Sequence, residues 1–277
     1  MDNSEDLKKI VKEKYSEIAL QSKEQNEASC CGVGGCSTVD YAVFADSYKG
    51  MQGYESDADL GLGCGLPTEF AQINLGNTVV DLGSGAGNDC FVARAICGAE
   101  GKVIGVDMTE AMVEKARENA DKLHFNNVEF RLGDIEQLPM GAHKADVVIS
   151  NCVLNLVPNK EKAFNEIFRI LKPEGHFSIS DVVIKGQLPE KLRNDAEMYA
   201  GCVSGAIQLE EYMEIIYKAG FQDVSIQKQK SVQIPHEILS LYLSEDEIVI
   251  YNKGEIGVYS ITVYGKKGSS CCAPGCC

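Results

Sequence analysis

Val79-Val80-Asp81-Leu82-Gly83-Ser84-Gly85-Ala86-Gly87-Asn88-Asp89 decides how the rest of the chain is read. An apolar run ends in an acid, and three glycines follow at alternate positions. That order suits a buried strand turning tightly into a helix. Small residues let the backbone come close to a ligand, and the helix start offers unpaired N–H groups. The next apolar run, Val103-Ile104-Gly105-Val106-Asp107, also ends in an acid, placed to clamp a ribose at the tip of a second strand. The glycines alone would fit a strand–helix turn with no ligand. Asp81 precedes them within the strand tip, and their spacing is not the Gly-x-Gly-x-x-Gly of a dinucleotide site.

Outward from that stretch, strands and helices alternate. Strands are predicted at 78–82, 102–107, 128–132, 145–150 and 177–183. Helices are predicted at 88–98, from a Thr109 cap to about Leu123, and at 160–171. Leu171-Lys172-Pro173-Glu174-Gly175-His176 reads as a helix stop and turn. The alternation predicts an α/β fold with a doubly wound, mostly parallel sheet. Further on, helices are expected at 190–200 and 208–219, a sixth strand at 223–230 and a last, antiparallel strand at 256–266. Seven strands result, with 234–252 a mixture of helix and loop. Leu7, Ile10, Val11, Tyr15, Ile18 and Ala19 recur at helical spacing, so residues 5–20 form an amphipathic helix. It is either a lid over the sheet's carboxyl edge or a plain packing helix. Thr68 is placed to cap a short helix through Phe70 and Ala71. The chain divides into 1–72 (helix and cysteine-bearing loops), 73–184 (Rossmann-like core), 185–268 (a smaller C-terminal α+β region completing the sheet) and a flexible tail at 269–277.

Of the 277 residues, 26 are Lys or Arg and 41 are Asp or Glu, a net charge of −15. A field of that sign disfavours nucleic-acid backbones and anionic lipid. No apolar run is long enough to span a membrane. The start, Met-Asp-Asn-Ser-Glu-Asp, is acidic where a signal peptide would be basic, so a cytoplasmic location is expected. Twelve cysteines stand out. In a reducing compartment a chain of this size needs no disulfide scaffold. Cys90 and Cys97 fall on an apolar helix and read as core. Cys64 lies in Gly63-Cys64-Gly65-Leu66-Pro67, which predicts a thiol pointing out of a tight turn. Cys152 follows Asn151 at the tip of the fourth strand, where an acceptor substrate belongs. Cys202 sits beside Gly201 at a helix break. Cys30, Cys31 and Cys36, on a glycine-rich loop, are either a soft-ion site or auxiliary thiols, and the four cysteines of the tail either recruit a thiophilic ion or are incidental. Cys64, Cys152 and Cys202 all occupy loops able to face one crevice, and thiolates prefer As(III), Cu(I), Hg(II) or zinc to hard cations.

Asp81-Leu82-Gly83-Ser84-Gly85-Ala86-Gly87 with Asp107 resembles the class I S-adenosylmethionine-dependent methyltransferases. The resemblance implies that Asp81, Gly83, Ser84, Gly85, Asn88 and Asn151 border the cofactor's methionine end. It implies that Asp107 takes the ribose hydroxyls and that Asp134, with the N–H of Ile135, holds adenine. Met108 packs on adenine or is a core methionine. From about Val11 to Lys266 the chain resembles, more narrowly, the arsenite S-adenosylmethionine methyltransferases. This rests on the Cys64 and Asp81 motifs, on Ser150-Asn151-Cys152-Val153-Leu154-Asn155-Leu156 and on the Gly201-Cys202 segment. That likeness implies that Cys152 and Cys202 bind trivalent arsenic and that Cys64 adds a third thiol, with Cys30, Cys31 or Cys36 as possible auxiliaries. A thioredoxin or glutathione system would reduce a Cys64–Cys152 disulfide formed in turnover. A monomer acting on arsenic, with no nucleic-acid or membrane partner, is expected. The competing readings are a carbon- or oxygen-methyltransferase of a quinone or sterol, and a thiol-rich metalloid-sequestration protein.

Overall fold

In the computed structural model, residues 3–20, 46–187, 205–231, 236–254 and 256–269 are described. Cys202, Cys30, Cys31, Cys36 and the tail cysteines lie outside them, as does the helix expected at 190–200.

The β-branched runs form the middle of one sheet. β1 (Thr78–Leu82), β2 (Lys102–Asp107), β3 (Val128–Leu132), β4 (Ala145–Asn151), β5 (Leu171–Lys185), β6 (Phe221–Ser231) and β7 (Gly257–Lys267) lie in the order β3-β2-β1-β4-β5-β7-β6. β1 to β5 pair in parallel, whereas β7 runs antiparallel to both β5 and β6. The chain therefore reverses direction across the sheet at β1, between β2 and β4. In an open parallel sheet that leaves a crevice at the strands' carboxyl ends.

Helices cover both faces. α3 (Asn88–Cys97) and α4 (Glu110–Lys122) bury Phe91, Met112 and Ala116 against Val79, Val103 and Ile149. Cys90 and Cys97 are fully buried there, as expected of core thiols. α5 (Lys160–Ile170) and α6 (Leu209–Lys218) bury Phe164, Ile167 and Tyr212 against Phe177, Ile179 and Val183. Burying a large apolar side chain contributes about 1.5–3 kcal/mol, so these layers fix the strand tips firmly. α1 (Asn3–Ala19) lies against the first layer through Ile18 and Ala19. α7 (His236–Leu239) and α8 (Glu245–Asn252) make a small satellite cluster of Leu239, Leu243, Ile248 and Tyr251.

Three local expectations fail. Thr68 lies inside α2 (Pro67–Phe70), not at its cap, and its hydroxyl is buried without a hydrogen-bond partner. Thr109 does precede α4, but its side chain makes no cap; its N–H instead donates to Asp107 Oδ1 at 2.8 Å. β5 begins at Leu171, not 177, because Lys172-Pro173-Glu174-Gly175 is an irregular opening in the strand. Glu174 has φ 66° there, and the register against β4 shifts between Ala145 and Val147.

Candidate active site

A cleft of roughly 1050 Å³, partly open to solvent, lies at the carboxyl ends of β1 to β4. All ten residues expected around a cofactor line it: Asp81, Gly83, Ser84, Gly85, Asn88, Asp107, Met108, Asp134, Ile135 and Asn151. Cys152 joins them, and Lys8, Val11 and Tyr15 of α1 close one side. The N-terminal helix is therefore part of the cleft wall.

The glycine turn is locked to the second strand. Gly83 N–H donates to Val106 O at 2.7 Å, and Gly85 N–H donates to Asp107 Oδ2 at 3.0 Å. Gly83 has φ 69°, and a Cβ there would lie 2.3 Å from Val153, so only glycine fits. Two buried polar atoms in this turn, Ser84 Oγ and Asn88 Oδ1, have no partner within the protein. Buried polar groups are nearly always satisfied, so both atoms mark places where a polar ligand fits.

Three buried acids lie in the cleft wall, and burial works against the charged form of each. Burial raises Asp107, although N–H groups of Thr109 and Gly85 oppose the shift. Burial, reinforced by the charge of Asp89, pushes Asp81 well above the usual carboxylate range; Cys90 Sγ donates to it at 3.2 Å. Burial lifts Asp89 to about 6, against hydrogen bonds from Tyr48 and Asn151. Lys8 is the one basic side chain among the described residues of the lining. Such a site favours a cationic guest.

On the acceptor side, Cys152 stands at the end of β4 with φ 62°, its N–H donating to Ser180 O at 2.8 Å. That conformation is uncommon for a residue with a side chain and is held here by the neighbouring strand. Cys64 is buried, 3% exposed. The loop carrying it is drawn inward by Asn151, which accepts from Cys64 N–H at 3.0 Å, and by Ser260 Oγ, which donates to Cys64 O. Cys152 lines the cleft, whereas Cys64 is not among its lining residues, although its N–H is bonded to the side chain of Asn151, the residue before Cys152; Cys202 lies outside the described residues. None of the four histidines lines the cleft.

Several polar residues here carry no local signal in the sequence. Tyr48 OH contacts both Asp89 carboxylate oxygens at 2.8 Å. Behind the thiols, Tyr212 OH donates to Asp181 Oδ2 at 3.1 Å, and both residues are fully buried. Burial pushes Asp181 up to about 7, with the charge of Lys160 opposing it. Burial and then Asp181 raise Tyr212 well above the usual phenol range, and Cys64 and Cys152 add to this. The tyrosine therefore lies within the electrostatic reach of both thiols.

Fold and cleft together define a methyltransferase domain, and residues 73–220 match the family described in those words. The chain is 36% identical over 250 residues to an arsenite methyltransferase of Aquipseudomonas alcaligenes, covering 85% of this chain and 68% of that one. It is 42% identical over 238 residues to an arsenite methyltransferase of Halobacterium salinarum, covering 80% of this chain and 59% of that one. The structure matches an arsenic(III) S-adenosylmethionine methyltransferase from Chlamydomonas reinhardtii with TM-score 0.62 and 32% identity, over 86% of this chain and 76% of that one. The chain belongs to the arsenite methyltransferase family. It spans about three fifths to two thirds of the length of these two curated relatives.

Proposed function

We propose that the chain transfers a methyl group from S-adenosylmethionine to trivalent arsenic bound by its cysteines. The observation that carries this reading is Cys152, buried at the tip of β4 and facing the cofactor cleft, with the Cys64 loop bonded to the adjacent residue. The orphaned Ser84 Oγ and Asn88 Oδ1 and the acidic lining fit a cationic, polar cofactor.

The cofactor, when bound, supplies an electrophilic methyl on a sulfonium centre. Asp107 would hold its ribose, Asp134 and the Ile135 N–H its adenine, and Met108 would pack on that ring. Gly83, Ser84, Gly85 and Asn88, with Asp81, would surround its methionine end, beside Asn151. On the other side, Cys152 with Cys64 and Cys202 hold arsenic as thiolates. Each thiol proton leaves with a displaced hydroxide as water. Trivalent arsenic keeps its lone pair, which takes the methyl, so no proton has to be removed in that step. The protein's contribution is to bring the reacting atoms to roughly 3–3.5 Å and align them. Arsenic is then formally pentavalent. Two electrons from two thiolates return it to the trivalent state and leave a disulfide such as Cys64–Cys152. Thioredoxin or glutathione resets the pair by thiol–disulfide exchange. An acidic, cytoplasmic protein fits this small, soft substrate.

The test is product speciation for Cys152→Ser and Cys64→Ser with arsenite and with monomethylarsonous acid. Serine keeps the shape but is a hard, weakly acidic ligand. Cys152→Ser should abolish methylation of both substrates while leaving S-adenosylmethionine binding intact. Cys64→Ser should lower arsenite methylation sharply and spare part of the second reaction. Near-normal arsenite turnover by Cys152→Ser would remove Cys152 from the arsenic anchor, and absence of arsenite turnover in the wild-type protein would overturn the arsenic reading and favour another small-molecule acceptor.

A further inference from the structure

The side chain of Asn151 meets two backbone groups of opposite polarity on the Cys64 loop. Its Oδ1 accepts from Cys64 N–H at 3.0 Å, and its Nδ2 donates to Gly65 O at 2.9 Å. Nδ2 also donates to Tyr48 OH at 2.7 Å. That phenol lies 2.8 Å from both oxygens of Asp89, where its proton belongs, so toward Asn151 it can only accept. Donor-only and acceptor-only neighbours fix which way round the amide sits. A carboxamide is the one common side-chain group that serves both ends of the Cys64–Gly65 peptide at once.

The flanking glycines follow from the same arrangement. A Cβ on residue 63 would lie 2.7 Å from Asn151 Nδ2, and one on residue 65 would lie 2.6 Å from Ser180 Oγ. Gly63 and Gly65 let the loop press against the tip of β4 and against Ser180, within β5. Cys152 hangs from the same place, since its N–H donates to Ser180 O. Both cysteines are thereby referenced to the end of β4 and the adjacent stretch of β5. The resemblance implies a cofactor contact for Asn151, yet both of its N–H groups and one lone pair of Oδ1 are engaged within the protein.

We infer that the Asn151 carboxamide is a positioning group for Cys64, clasping the Cys64–Gly65 peptide to the tip of β4 and so setting the separation of the Cys64 and Cys152 thiols. Tyr48 and Asp89 hold the clasp in orientation. The functional consequence rests on the arsenic reading above; the clasp itself does not.

The experiment compares wild type with Asn151→Ala, Asn151→Asp and Gly63→Ala, the last crowding the amide without removing it. Three readouts are taken: exchange of the Cys64 backbone N–H by NMR, S-adenosylmethionine affinity by calorimetry, and steady-state kinetics with arsenite. In Asn151→Ala the Cys64 N–H should lose its protection. Asn151→Asp keeps that bond but turns a carboxylate toward Gly65 O and Asp89. In all three variants kcat for arsenite should fall, by about 100-fold where the thiol is displaced by an ångström or so, with cofactor affinity unchanged. Should an Asn151 variant fail to fold, Gly63→Ala decides. Weakened cofactor affinity with Cys64 protection intact would overturn the inference, as would wild-type kcat in a folded variant. If the wild-type protein shows no arsenite turnover, the arsenic reading fails separately, and the exchange data still decide whether the clasp exists.

Discussion

Lys8 Nζ lies 2.6 Å from Asp134 Oδ2 and 2.7 Å from Glu136 Oε2, tying the N-terminal helix to the loop that follows β3. Burial costs the ammonium some water, but the two carboxylates outweigh this and raise its pKa. The same loop is the one proposed to hold adenine. Lys8 and Asp134 are partly exposed, so that pair contributes about 0.2–1 kcal/mol to global stability; Glu136 is buried and also accepts from Asn159 N–H. The larger effect of the two pairs is local, since they join α1 to the loop that lines the cleft. Lys8→Met should therefore leave the melting transition almost unchanged and speed hydrogen exchange across residues 3–20. It should also weaken S-adenosylmethionine binding a few-fold. Unchanged exchange in α1 would show that Val11 and Tyr15 hold the helix without the ion pair.

Asp107 accepts from Gly85 N–H and Thr109 N–H, one on each carboxylate oxygen, so the acid proposed to hold the ribose also shapes the glycine turn. Each oxygen keeps a lone pair for a hydroxyl. Charge-assisted bonds of this kind contribute about 1.5–3 kcal/mol each. Asp107→Ala should weaken cofactor binding by at least tenfold, since about 1.4 kcal/mol is a factor of ten. Calorimetry on the folded variant checks this, and wild-type affinity would remove Asp107 from the cofactor set.

The parallel strands were legible because strands buried on both faces need continuous β-branched runs. β1, β2 and β3 fall at the predicted residues. Part of the cleft was legible for the same reason, since Asp81, Gly83, Asp107 and Gly133 end or follow such runs. Long-range polar contacts left no such trace. The glycines beside Cys64 read as a tight turn and give no sign of its burial, which depends on Asn151 and Ser260, 87 and 196 positions away. Lys8 and Asp134 are 126 apart. Thr109 shows the local version of the problem. It has the right residue type for a cap, but Asp107 two positions earlier takes up its N–H. Glu174 accepts a positive φ that a Pro-Glu-Gly sequence suggests is a turn, yet the surrounding strand continues through it.

Asp181 and Tyr212 lie behind the thiols, and their burial makes stability depend on pH. The Asp181 carboxyl is raised from 3.8 to about 7 by burial, with the charge of Lys160 opposing. The sign follows from proton binding. Between about pH 4 and 7 the folded state keeps this proton while the unfolded chain has lost it. The group's stabilising contribution is thus complete below its unfolded pKa and is lost as pH rises through about 7. The loss is of order 1 kcal/mol per pH unit within that window. Asp181→Asn removes the titration but keeps the shape and an acceptor for Tyr212 OH. Wild type should lose stability relative to this variant between pH 5 and 7.5, as measured by urea unfolding at fixed ionic strength. Lys160 sets the limit on the variant's gain: its ammonium loses a charge partner and relies on Gly205 O, which it reaches at 2.8 Å. Lys160→Met in the same background should remove that residual cost. A stability difference between wild type and Asp181→Asn that does not change with pH would show that Asp181 is already ionised in the folded protein throughout this range, paired with Lys160.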